Sequence, residues 1–141
     1  MTWTVPAGSP SAEPLVKLAN VAGLTLRAFH FQGKERVHDL VSLRGRCPGF
    51  ALEEAELRGF LASGVRLIDC TGDSRNAVSL RGLRTVAGRG TEAALVLQAS
   101  PGQEVRDISV RDCRFEGPAR ASVQLAGAVS RLELLNTLAT R

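Results

Sequence analysis

Three short apolar patterns recur in one order along the chain. The first is Val16-Lys17-Leu18, Val41-Ser42-Leu43, Val65-Arg66-Leu67, Leu95-Val96-Leu97 and Val123-Gln124-Leu125. The second is Leu24-Thr25-Leu26, Phe50-Ala51-Leu52, Val78-Ser79-Leu80, Ile108-Ser109-Val110 and Leu132-Glu133-Leu134. Most of these triplets read apolar-polar-apolar, the period of two expected of a strand with one buried face. A third pattern begins three residues after the last apolar position of the second. It pairs Phe29 with Phe31, Ala55 with Leu57, Leu83 with Thr85, Cys113 with Phe115, and Thr137 with Ala139. Two places later a small residue often follows (Gly33, Gly59, Ala87, Gly117), as a tight turn requires.

Along the second pattern Leu26, Leu52, Leu80, Val110 and Leu134 lie 26, 28, 30 and 24 residues apart. A repeat of this size with three short strands and no helix cannot bury its apolar side alone. Stacked copies can line a shared interior and hydrogen-bond to the coils above and below. The pattern therefore predicts an all-β fold, a right-handed parallel β-helix (solenoid) of about five coils with three short strands per coil, about 24 Å tall at strand spacing. Residues 51 to 61, with Glu53, Glu54 and Glu56, are locally helix-prone, and neighbouring coils are expected to override that preference. A sandwich of short strands explains the threefold order less well. A leucine-rich type of repeat would need a helical segment that these coils lack.

The stretch from Ile108 to Gly117, echoed by Leu24 to Gly33, resembles the repeat unit of right-handed parallel β-helix proteins. That superfamily includes pectate lyases, polygalacturonases, phage tailspikes and uncharacterised repeat regions of large bacterial proteins. The resemblance covers about residues 14 to 141. It implies a fold more than a function, since the shared positions are core and turn positions.

At 141 residues the chain has the length of one domain, and its 44% hydrophobic content argues against disorder. No apolar run reaches a membrane span, and residues 1 to 6 lack the features of a secretory signal. Cys47, Cys70 and Cys113 are odd in number and have no CxxC spacing. They read as buried reduced thiols, which favours a cytoplasmic setting, and they indicate no metal site and no cofactor. Eighteen Lys and Arg against fourteen Asp and Glu leave a net charge of +4, with the two signs interspersed along the chain. No basic stripe forms, and there is no Tyr to build a stacking platform, so nucleic acid is not an expected partner.

Residues 1 to 13 read as a partial N-terminal coil strand and a connection, and residues 14 to 141 as the solenoid. Trp3 and Val5 stand 26 residues before Phe29 and Phe31, and the last apolar pair is Thr137 and Ala139. Neither end carries an evident cap. Two expectations follow: excision from a larger protein, and self-association end to end through Trp3, Val5 and Leu138.

Two neighbouring coils carry enlarged connections between the first and second patterns, Asp69 to Ala77 and Ala99 to Asp107. Side by side they would form a polar lip with Asp69, Asp73, Arg75, Asn76, Gln103, Arg106 and Asp107 as candidate ligand-binding residues. Among the outward positions, Arg81 beside Arg111 and Arg84 beside Arg114 form like-charged neighbours that an acidic glycan or phosphate could bridge. His30 and His38 fall in no catalytic arrangement. The reading that results is a non-catalytic scaffold or interaction module. Its expected partner is itself, another protein or carbohydrate. The alternative is a shortened lyase or glycoside hydrolase, with Asp69, Asp73 and Asp107 acting on an acidic polysaccharide.

Overall fold

The computed structural model describes residues 2–4 and 13–140. Among them the secondary structure is entirely strand. In chain order the strands are β1 (Thr2–Thr4), β2 (Val16–Ala19), β3 (Thr25–Arg27), β4 (His30–Arg46), β5 (Ala51–Glu53), β6 (Glu56–Thr71) and β7 (Val78–Arg81). They continue with β8 (Arg84–Val86), β9 (Ala93–Gln98), β10 (Val105–Arg111), β11 (Arg114–Glu116), β12 (Ala121–Ala126), β13 (Val129–Leu135) and β14 (Leu138–Thr140). All pair in parallel, and the result is a β-solenoid of about five coils.

The three sequence patterns are the three faces. On the first, Val16 pairs with Val41, Val41 with Val65, Val65 with Leu95, and Leu95 with Val123. On the second, the ladder runs Leu26, Leu52, Leu80, Val110, Leu134. On the third it runs Trp3, Phe31, Leu57, Thr85, Phe115, Ala139. Rows of like side chains point inward, and Leu43, Leu52, Leu57, Leu67, Leu80 and Leu97 are all buried in one continuous core. Each such leucine contributes on the order of 2 kcal/mol on burial.

Two expectations change in detail. In the second and third coils the third-face and first-face strands do not stop at the corner, because β4 and β6 run around it as single bent strands of 17 and 16 residues. Pairing of β4 with β6 persists through register shifts between Gln32 and Asp39, so the backbone stays bonded while it turns. At the N-terminal end, Trp3 pairs with Phe31, two places further along than the 26-residue spacing implies. The strand sits where the indole reaches both aromatic rings. The indole meets Phe29 edge-on at 5.0 Å and Phe31 at 5.8 Å, while the two phenylalanines stack at 5.5 Å. Val5 lies outside the described residues.

The helix-prone segment is strand, as expected: β5 ends at Glu53, and β6 begins at Glu56. Between them Glu54 adopts φ +51°, and the same left-handed conformation recurs in every coil at this corner, at Ala28, Gly82, Asp112 and Asn136. These residues are held by bonds to the next coil. The amides of Ala28, Glu54, Gly82 and Asp112 donate to the carbonyls of Glu53, Arg81, Arg111 and Leu135 at 2.9–3.1 Å. A bond per rung offsets the roughly 1 kcal/mol that the left-handed region costs a residue with a Cβ.

Candidate functional site

The lip foreseen between the first and second faces exists as a recess of about 440 Å³. Asp69, Asp73, Gln103 and Arg106 line it together with Asn20, Arg46, Thr71 and Glu104. The strands run further into the connections than their triplets suggest. β6 carries Asp69 to Thr71 and β10 begins at Val105, because Arg46 and Arg106 both find register partners at Thr71. Asp107 is therefore a buried strand residue, and Arg75 and Asn76 hold exposed side chains at the loop tip.

The acids of the recess have internal partners. Asp69 accepts the Ser100 amide at 2.6 Å and the Ser100 hydroxyl at 2.9 Å, which joins one coil's corner to the next. Those bonds, the amide first, hold the Asp69 carboxyl below its ordinary value. Asp73 accepts the amides of Arg75 at 3.0 Å and Asn76 at 2.7 Å and so closes its own turn. Arg106 lies 2.8 Å from Glu104 and 3.2 Å from Asp107, and Arg131 reaches Asp107 at 3.7 Å. Every carboxylate lining the recess is thus engaged in a structural contact. Arg46, Thr71 and Gln103 supply the polar side chains that remain.

The arginine columns stand in the expected register, Arg81 beside Arg111 and Arg84 beside Arg114. Carboxylates from nearby rungs relieve most of the repulsion. Arg81 pairs with Glu53 at 3.1 Å, Arg111 with Glu133 at 2.6 Å and Arg84 with Glu116 at 2.7 Å. Of the four, Arg114 forms no ion pair among the described residues.

One polar cluster escaped the sequence reading. Arg66 bonds Asp39 at 3.1 Å, Gln98 at 2.9 Å and Glu92 at 3.0 Å, and the Ser63 hydroxyl donates to Asp39. With both side chains mostly buried, this bridge spans three coils of the first face. Asp39 and Arg66 lie 27 residues apart, one repeat, and that spacing was the available signal.

The end coils are the other distinctive surface. Among the described residues β12, β13 and β14 each bond to a strand on one side only. Leu125 and Leu134 occupy inward columns whose neighbours Leu97 and Val110 are fully buried, yet they are 52% and 46% exposed. Leu135 and Leu138 add to the patch from outward columns. Leu138, named for end contact, sits directly above Arg114, and Leu135 above Arg111. At the other end β1, β2 and β3 likewise have one strand neighbour each among the described residues, with Trp3 partly exposed.

These features define a parallel β-solenoid with a polar recess between its first and second faces and an exposed apolar coil among the described residues. Among the described residues no group of three or more His, Cys, Asp or Glu side chains is placed to hold a metal ion. Comparison with protein-family models, with curated proteins and with solved structures finds no match to this chain.

Proposed function

We propose that this chain is a non-catalytic β-solenoid scaffold that associates through its open coil ends, chiefly the C-terminal coil. The observation that carries the reading is the exposure of Leu125 and Leu134 in ladders that are elsewhere sealed. Apolar side chains beside unpaired strand edges favour docking of further β-structure, where main-chain bonds and leucine burial act together. Membership of the right-handed, pectate-lyase-like β-helix proteins, of the kind found in repeat regions of bacterial proteins, belongs to the same proposal and is supported by the stacked parallel coils. The polysaccharide-cleaving alternative draws no comparable support, because Asp69, Asp73 and Asp107 each hold a structural contact.

Sedimentation velocity over a concentration series tests the association. The expected result is a mass above the 15.0 kDa chain that Leu125→Asp returns to 15.0 kDa. Leu125 is half exposed, and circular dichroism of the variant verifies that the monomer remains folded. A mass fixed at 15.0 kDa at every concentration overturns the reading.

A further inference from the structure

We infer that a notch on the corner between the third and first faces binds a small zwitterion with an apolar body, a free aliphatic amino acid or a dipeptide. The site lies on the flank of the stack and stands apart from the end-coil reading above.

The notch follows from the lengths of three successive connections. From the third-face ladder to the first-face ladder the chain takes 10 residues in β4 (Phe31 to Val41), 8 in β6 (Leu57 to Val65) and 10 between β8 and β9 (Thr85 to Leu95). Two longer connections therefore overhang a shorter one, and the space between them is a cavity of about 540 Å³. Its walls stand two strand spacings apart, about 10 Å, and its volume lies in the range of sites that hold small molecules.

The β4 wall is fixed before any ligand arrives. Lys34 and Glu35 are consecutive left-handed residues, with φ +53° and +56°, and the Gln32 side chain accepts the Lys34 amide at 2.8 Å. Gly59 in the floor makes room for that turn, since a Cβ there would stand 2.6 Å from the Lys34 amide nitrogen. The rest of the floor and the far wall are apolar, with Phe60 and Ala87 buried and Val86 half-buried.

Charge decides the ligand. Glu35 reaches across the notch, with Oε1 3.8 Å from where a Cβ on Gly88 would stand. Lys34 and Arg58 line the same space. Glu56 engages Arg58 through Nε, which leaves the terminal guanidinium nitrogens to a ligand. Neither Lys34 nor Glu35 has an ion-pair partner among the described residues. A simple anion would meet the Glu35 carboxylate, and a simple cation would meet Lys34 and Arg58. A zwitterion satisfies both signs. Its carboxylate accepts from Lys34 and Arg58, its ammonium donates to Glu35, and its aliphatic side chain covers Val86 and Ala87.

Amide NMR of the full chain, titrated with L-leucine and with leucyl-leucine, tests the site. Saturable shifts at Gly59 and Gly88 are expected, and the tighter of the two ligands tells whether one residue or two fill the notch. N-acetyl-leucine lacks the ammonium and leucinamide lacks the carboxylate, and each should bind about tenfold more weakly than leucine. Glu35→Gln should cost leucine a similar factor and leave N-acetyl-leucine unaffected, because that ligand already lacks the contact removed. Lys34→Gln should likewise spare leucinamide. Blocked ligands that bind as tightly as leucine overturn the inference, and so do glycine amides that move with neither ligand. Both outcomes are read on the unaltered chain, whatever its mass in solution, so they stand even if a variant fails to fold.

Discussion

On the inner ladder of the third face, Thr85 stands between Leu57 and Phe115 with its hydroxyl buried and without a hydrogen-bond partner. A buried polar atom left unpaired costs roughly 1–3 kcal/mol, whereas valine fills nearly the same volume without one. Thr85→Val is therefore expected to raise stability by about 1 kcal/mol in urea unfolding. An unchanged or lower midpoint would show that the hydroxyl is satisfied in solution. The buried cysteines have no such conflict, since burial pushes the thiols of Cys70 and Cys113 up, as suits unreactive core residues. Gly117 meets a steric limit instead. Its φ is +101°, and a Cβ there would stand 2.1 Å from the Ala87 carbonyl oxygen. The small-residue pattern of the third face marked this corner in the sequence, whereas the left-handed column of Ala28, Glu54, Gly82, Asp112 and Asn136 was hidden. Gly82, Asp112 and Asn136 in that column are residue types that favour such a conformation, but Ala28 and Glu54 are not, so no single residue type marks it.

The elements show why strands were easier to read than corners. Alternation of apolar and polar residues depends on which face is wet, and every triplet of the first and second patterns found its register partner. Continuity around a corner depends on backbone bonds between coils, which no side-chain pattern reports, so β4 and β6 read as separate short strands. The same limit hid the engagement of the lip. Asp69 was legible as an acid on an enlarged connection, but its bond to Ser100 crosses 31 residues. That bond carries a prediction. The folded carboxyl titrates below its ordinary value of 3.8, so its contribution is present above the unfolded pKa and is lost as pH falls through the folded one. Asp69→Asn keeps one oxygen for the Ser100 amide and tolerates the positive φ at this position, while it removes the charge and turns the oxygen that accepts the Ser100 hydroxyl into a donor. The variant should unfold at lower urea than the parent at neutral pH, and the gap should narrow as pH falls below 3.8. A gap that keeps its size as pH falls would assign the effect to geometry rather than charge.

Across the whole molecule, each coil is held by the ones on either side, and the end coils have one neighbour each. Stability in such an array is close to a sum of nearest-neighbour contacts, so opening begins at the ends. Amide hydrogen exchange should be slowest in the central parts of β4 and β6 and in β7, β9 and β10, and fastest in β12 to β14 in the monomer, with protection of β12 to β14 rising on association. Uniform protection from end to end would rule out this picture of the stack. The left-handed corner has a consequence of another kind. Since every coil passes this corner in one backbone state, the main chain there is the same from coil to coil even though the other connections differ. Duplicating or deleting one whole repeat would lengthen or shorten the molecule by a single step of about 4.8 Å without redesigning this corner, which makes the length of this scaffold adjustable in whole-coil increments.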